Sequence, residues 1–318
     1  MYLITRKGVV FLLLKFTMKD FLDDRKFNNC SPKTVTSYSN TLKQFQEFCM
    51  TRDIVNIEDI SSATVKAYLN YCIEERGNTP TSINHKIIDL RAFFNYCSRE
   101  NIINEKRNPC EKISKLKTDI RIAAFTDEQV IQILNYYRRM KGKDKSFFAV
   151  RDYVIVLTLL GTGIRVGELI NIQWNDVDLT NGKVTVFGKK RMQRTIPLVE
   201  KLRKEFLEWK TFQSQYLKDK DAKYIFSTSE GEKLSENAIQ NMFKRLKGIM
   251  NFKDVRLSAH TFRHTFSKNW IMANGDQFSL QRILGHSSLD MVNRYVSLFG
   301  SAVKELNDKY NLLNAFTL

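Results

Sequence analysis

No stretch of this 318-residue chain approaches the roughly 18 consecutive apolar residues that a membrane-spanning helix needs. It also shows no internal repeat and no low-complexity tract, which sets aside solenoid and biased-composition architectures. C-x-x-C spacing is missing as well. The five cysteines, Cys30, Cys49, Cys72, Cys97 and Cys110, are odd in number and confined to the first 110 residues. That pattern belongs to reduced thiols in a cytosolic protein, not to a disulfide framework or a zinc site. Cys49 and Cys97 fall on apolar helical stripes, where cysteine serves as a small core residue. A secretory leader is not expected. Arg6 and Lys7 precede an apolar run at residues 9–14, but the run is short, Lys15 interrupts it and no small-residue cleavage site follows. The expectation is a cytoplasmic protein, with both Met1 and Met18 open as the natural start and residues 1–17 an upstream extension if it is Met18.

What is present is positive charge. Lys and Arg number 51 against 34 Asp and Glu, a formal net charge of +17, and 43% of the residues are apolar. The apolar share is that of a globular protein, and about 100 to 200 residues per domain makes the length one of two domains. So large a basic surplus calls for a polyanion, either nucleic acid or an anionic membrane surface. The charges are spread through many helices and loops and not gathered into one amphipathic stretch, which favours nucleic acid.

Two helix starts share one grammar. Ser31-Pro32 supplies an N-cap hydroxyl and a proline at the first helical position, and Val35, Tyr38, Leu42, Phe45 and Cys49 then repeat at helical spacing. Thr79-Pro80 does the same ahead of Ile83, Ile87, Leu90, Phe94 and Cys97. A further helix covers residues 62–75. The spacing predicts an all-helical first domain over residues 18–103, its polar faces carrying Lys33, Lys43, Lys86 and Arg91. From 104 to 121 the periodicity fades around Pro109 and basic residues accumulate, which reads as a linker. Residues 122–318 form the second domain. There a helix starts at Thr126-Asp127-Glu128, a strongly apolar helix covers 147–160, and Asn181-Gly182 turns a hairpin between 177–179 and 183–187. A third strand at 195–198 completes a small three-stranded antiparallel sheet. Helices follow, apart from a short extended piece at 224–227. The fold class is mainly α with two domains, the second α+β.

Within the second domain, residues suited to phosphate chemistry recur at helix starts. Arg165 follows Gly161-Thr162-Gly163-Ile164 and lies three residues before Glu168, so a carboxylate one turn away can orient the guanidinium. Standing alone, the same pair would be an ordinary surface ion pair. His260 and Arg263 are likewise three apart, side by side on one helix, where both can reach one phosphate. His264 is read as a structural histidine turned away from them. His286 follows Leu284-Gly285 and precedes Ser287-Ser288, which puts it at a helix start, a natural phosphate-facing place. Tyr295 lies on that following helix among Leu289, Val292 and Val296, where alone it would be a half-buried aromatic.

Taken in order, Gly161-Thr162-Gly163-Ile164-Arg165-x-x-Glu168-Leu169, His260-x-x-Arg263-His264, Leu284-Gly285-His286 and Tyr295 resemble the signature of the tyrosine recombinase (phage integrase) family. The stretch from Phe187 to Leu198 resembles that family's lysine-bearing β-hairpin. Lining up Gly188 and Pro197-Leu198 places the lysine at Lys189, with Lys190 its rival because the turn lacks a second glycine. The first helical module looks like the family's core-binding (SAM-like) DNA-binding domain. The expected layout is similar to that of the compact Xer-like members, with no arm-type domain ahead of this module.

The resemblance implies a site-specific recombinase that cleaves and rejoins DNA through a 3′-phosphotyrosyl intermediate and a Holliday junction, closing round the duplex as a clamp. It implies catalytic roles for Arg165, Lys189, His260, Arg263, His286 and the nucleophile Tyr295, with Glu168 behind Arg165. Lys86, Arg91, Lys190, Arg191 and Arg194 are the expected DNA contacts. No cofactor or metal is implied. The implied partners are double-stranded recombination sites, self-association into a tetramer on DNA with homo- and hetero-tetramers both open, and an accessory DNA-bending or related recombinase protein, with the chain at the nucleoid and no membrane involved. An amphipathic tail after Gly300 (Val303, Leu306, Tyr310, Leu313) would dock on a neighbouring protomer. Relaxation of DNA in the manner of a type IB topoisomerase, and sequence-specific binding by a dead site, are the competing readings.

Overall fold

The computed structural model describes residues 4–6, 9–11, 13–118, 122–144, 146–188, 193–218, 222–286 and 288–299. The chain divides into two compact units, Met1–Ile120 and Arg121–Leu318.

In the first unit a short antiparallel pair, β1 (Ile4–Arg6) and β2 (Val9–Phe11), precedes four helices: α1 (Leu14–Phe27), α2 (Pro32–Met50), α3 (Ser62–Glu74) and α4 (Pro80–Arg99). The local sequence accounts for the starts. Ser31 and Thr79 accept hydrogen bonds from the backbone N–H groups of Thr34 and Ser82, each with proline as the first helical residue. Ser61 and Thr64 cap α3 reciprocally. The helices close on an aromatic core in which Phe21, Phe45, Tyr68, Phe93 and Phe94 are fully buried. Edge-to-face pairs join Phe45 to Tyr68 and Phe93 to Phe94, each at 5.1 Å. α1 begins four residues ahead of Met18, and Leu14 and Thr17 are as buried as the methionine. Four of the five cysteines are buried, and loss of solvation pushes the Cys49 and Cys110 thiols up to about 12. They are inert packing groups.

Residues 104–118, expected to be a linker, run along this first unit. Cys110 and Ile113 enter its core, Ser62 donates to the Pro109 carbonyl at 2.8 Å, and Asn84 exchanges two hydrogen bonds with Leu116 (2.7 and 2.9 Å). Weak periodicity marked irregular backbone there, and irregular backbone can pack when side-chain amides and hydroxyls satisfy it.

The second unit contains α5 (Asp127–Asp144), α6 (Phe147–Thr162), the single turn α7 (Val166–Leu169), strands β3 (Val177–Asp178), β4 (Lys183–Phe187) and β5 (Gln193–Pro197), then α8 (Glu200–Leu217), α9 (Glu236–Met250), α10 (Ala259–Met272), α11 (Gln277–Leu284) and α12 (Asp290–Phe299). The sheet is antiparallel in the order β3-β4-β5, with Val184 opposite Ile196 and Val186 opposite Arg194. α6 is apolar on almost every face because α5, α8 and α10 surround it. The extended piece expected at 224–227 is a pair of isolated bridges, Tyr224 to Gln173 and Ser227 to Lys233. No helix among the described residues is long and apolar enough to cross a membrane.

Candidate active site

The site is built where α6 ends. Gly163 terminates that helix with φ +60°, and a Cβ there would stand 2.6 Å from a Phe266 ring carbon and 2.9 Å from a Leu284 methyl, so only glycine fits. The chain then enters α7, whose N-cap is Arg165. Glu168, in the first turn of α7, accepts from the Arg165 backbone N–H at 2.8 Å and from Arg165 Nη1 at 3.0 Å. The expected orienting pair is therefore formed. A second arginine shares the carboxylate: Arg194, on β5, donates from Nη1 and Nη2 to its two oxygens, both at 2.8 Å. Glu168 is only 4% exposed. Burial pushes its carboxyl up, but the Arg194 and Arg165 hydrogen bonds and charges outweigh burial and hold it below its usual range.

The last carbonyls of α11 form the next layer. A helix C-terminus leaves its final C=O groups without partners in the helix and carries partial negative charge, which arginines satisfy. Ile283 O accepts from Arg194 Nε at 2.8 Å; Leu284 O accepts from Arg263 Nη2 at 2.8 Å and Arg165 Nη1 at 3.3 Å; Gly285 O accepts from Arg165 Nη2 at 3.2 Å. Arg263, on α10, also donates to Gly163 O at 2.9 Å. Burial, then the neighbouring Arg165 charge, lower the Arg263 guanidinium to about 10, which leaves it protonated at neutral pH.

His286 is 2.7 Å from Arg263 through Nε2. A guanidinium can only donate, so Nε2 accepts and the ring proton sits on Nδ1. That Nδ1 is buried with no partner among the described residues. Burial, then the charges of Arg263, Arg165 and Arg194, depress the imidazole to about 3. At neutral pH His286 is thus uncharged, with one buried N–H that has no partner among the described residues. The expected placement at a helix start is corrected: His286 follows the left-handed Gly285 (φ +63°) that ends α11, and α12 begins only at Asp290.

Tyr295, on α12, is 2% exposed and packs with Ile271, Leu280, Leu284 and Val292. Its hydroxyl lies 2.8 Å from Nδ1 of His264. The histidine read as turned away is therefore the tyrosine's partner; α12 covers a side of α10 that spacing along α10 could not reveal. Burial pushes the phenol up, opposed by a Ser267 hydrogen bond and the charges of Arg263 and Arg165. His264 is lowered to about 4 by burial, His260 and Arg263, so it is neutral. His260 lies in the first turn of α10 and is exposed.

Lys189, expected to be catalytic, and Lys190 and Arg191, expected to contact DNA, lie outside the described residues. Lys86, Arg91 and Arg194 are engaged within the protein. Lys86 is 8% exposed, its ammonium donating to Gln44 Oε1 and the Tyr68 hydroxyl. Arg91 is half-buried and donates to Ile113 O. Arg194 is the clamp described above. Its signal was in the sequence: period-two alternation places it on the same face of β5 as the buried Ile196. No cluster of metal-ligating side chains occurs among the described residues.

With this geometry in place, comparison with known proteins is specific. The phage integrase family profile matches residues 124–300, and the phage integrase SAM-like domain matches residues 13–113. The tyrosine recombinase XerC of Caldanaerobacter subterraneus subsp. tengcongensis is 30% identical over 300 residues, spanning 88% of this chain and 82% of the relative. That of Chlorobaculum parvum is 28% identical over 306 residues, 88% and 89% of the two chains. Among solved structures, the Tn1549 transposon integrase in complex with transposon right-end DNA superposes with TM-score 0.75 (19% identity, 93% and 99% coverage). The XerH site-specific recombinase bound to palindromic difH substrate gives 0.73 (18% identity, 95% and 85% coverage). Matched by the family profile along most of its second unit and by curated relatives along nearly nine-tenths of its length, the chain belongs to the phage integrase family.

Proposed function

We propose that this protein is a site-specific DNA recombinase in which Tyr295 attacks the scissile phosphate. One observation carries the reading: Arg165, Arg263 and His286 are gathered on the single turn that ends α11, while Tyr295 is held from α10 by the residue next to Arg263. Arg165 and Arg263 each use three of their five N–H groups in the bonds described, which leaves donors for the non-bridging oxygens of a phosphodiester. The Nδ1–H of His286 is a further donor. Such groups, fixed before substrate arrives, stabilise the charge that grows at phosphorus.

In the step proposed, the Tyr295 oxygen bonds to phosphorus and the P–O5′ bond breaks. The phenol proton passes to His260, and Lys189 protonates the departing 5′ oxygen. A phenol pushed above its usual value is less than about one in a thousand ionised at neutral pH, so it needs this help. The 3′-phosphotyrosyl bond is then attacked by the 5′ hydroxyl of a partner strand, giving a Holliday junction. Tetramer formation on DNA is proposed by analogy with a λ integrase tetramer bound to a Holliday junction, which shares the fold (TM-score 0.71). Integration or excision of a mobile element and resolution of chromosome dimers are the roles such chemistry serves. Sequencing the DNA attached to Tyr295 in cells identifies the site. Duplexes carrying that site should yield Holliday junctions, while a supercoiled plasmid without it stays supercoiled. Relaxation of the site-free plasmid without junctions would overturn the recombinase reading in favour of a topoisomerase.

A further inference from the structure

We infer that Arg194 is a positioning residue of the reaction, acting on the scissile phosphate through Glu168 and Arg165 and not by touching DNA. The inference rests on the role proposed for Arg165. Three observations carry it. First, Arg194 makes a two-pronged bond to Glu168, both contacts at 2.8 Å, and Glu168 is the carboxylate that orients Arg165 through its backbone N–H and Nη1. A fork of this kind fixes the carboxylate plane in a way that one Arg165 contact at 3.0 Å does not. Second, the Nε of the same guanidinium holds Ile283 O, one residue before the two carbonyls that receive Arg165 and Arg263. One side chain thus ties β5, α7 and the end of α11 together. Third, Arg194 is enclosed. Its side chain is 12% exposed, and Gly285 lies so close that a Cβ there would stand 2.9–3.0 Å from three guanidinium atoms. A guanidinium shut in this way, with Nε and both terminal nitrogens engaged, is poorly placed to grip a DNA backbone.

The consequence is directional. Without Arg194, Glu168 keeps only Arg165 as partner, the carboxylate swings, and Arg165 loses the fixed orientation from which it meets a non-bridging oxygen. DNA binding, which rests on many other cations, is untouched.

The test measures single-turnover formation of the covalent adduct, and separately DNA affinity, on a duplex bearing the site recovered from cells. The scissile centre is either a normal phosphate or a methylphosphonate, whose lost non-bridging charge no longer needs a guanidinium. Arg165→Ala, Arg194→Met and Arg194→Lys are compared with the wild type. On the normal phosphate, Arg194→Met should slow adduct formation roughly 100-fold, with affinity within about threefold of wild type. On the methylphosphonate that gap should shrink to less than about tenfold, in parallel with Arg165→Ala. Arg194→Lys, which keeps the charge and loses the fork, should show the same pattern in weaker form. Far-ultraviolet circular dichroism confirms folding. Should Arg194→Met unfold, the Glu168→Gln/Arg194→Met pair, which leaves no buried unpaired carboxylate, takes its place with the same expectation.

Wild-type cleavage of the normal phosphate by Arg194→Met would overturn the inference. So would an equal defect on both substrates while Arg165→Ala is relieved by methylphosphonate, since that pattern marks a general structural loss. A selective loss of DNA affinity would make Arg194 a DNA contact after all. If Arg165→Ala itself gains nothing from the methylphosphonate, the role given to Arg165 falls, and the inference falls with it.

Discussion

Lowering the pH from 7 to 5 should destabilise the second unit through His264 and His286. The two imidazoles sit at about 4 and about 3, against 6.5 for the free side chain. The folded state therefore binds fewer protons than the unfolded chain between those values, so stability is full above 6.5 and is lost as the pH falls. Across the window from 7 to 5 the unfolded imidazole becomes almost fully protonated while the folded one stays neutral. Integrating that difference gives on the order of 2 kcal/mol per histidine, hence up to about 4 kcal/mol for the pair. For a domain of this size, that is a fall in Tm of roughly 8 to 14 °C. Asp152, whose carboxyl is raised by burial against the opposing charges of Arg151 and Arg245, acts in the opposite sense, because the folded state retains its proton on acidification. Thermal denaturation at pH 7, 6 and 5 checks the prediction, with His264→Asn/His286→Gln as the non-titrating control. The wild type should lose stability steadily, and the control should stay within about 3 °C. A wild-type Tm that does not move, or a control as steep as the wild type, refutes the reasoning.

Further expectations follow from single residues. Gly285→Ala places a Cβ against Arg194 at a backbone angle of +63°, and should cost about 2 to 3 kcal/mol in urea denaturation and slow adduct formation. Lys86→Met should leave DNA affinity and its salt dependence unchanged, since the ammonium faces Gln44 and Tyr68; a weakened salt slope would restore it as a phosphate contact. Lys189→Ala should impair cleavage far more than Lys190→Ala in single-turnover assays, and the reverse ranking would move the general acid by one residue.

The legible parts of the chain were those whose causes are local. Ser31-Pro32 and Thr79-Pro80 carry both the cap and the proline of their helices, and Asn181-Gly182 carries its turn, so these elements begin where the sequence places them. The Arg165–Glu168 pair is also local, three residues apart on one turn. What escaped was the direction in which charged and irregular segments face. Lys86 and Arg194 are cations on elements whose neighbours enclose them, and their burial is decided by Gln44, Tyr68 and Glu168, residues distant in sequence. His264 could be assigned only once α12 was known to lie over that side of α10. Residues 104–118 lacked periodicity, yet Cys110 and Ile113 found places in a core built by other helices.

The claim at the centre of this account is that Tyr295 is the nucleophile. A nicked suicide duplex carrying the recombination site, from which the released 5′ fragment diffuses away, should trap a covalent protein–DNA adduct visible as a shifted band after denaturation. Tyr295→Phe, which removes one oxygen from a buried ring, should bind the same duplex and form no adduct. An adduct that survives the substitution contradicts the assignment.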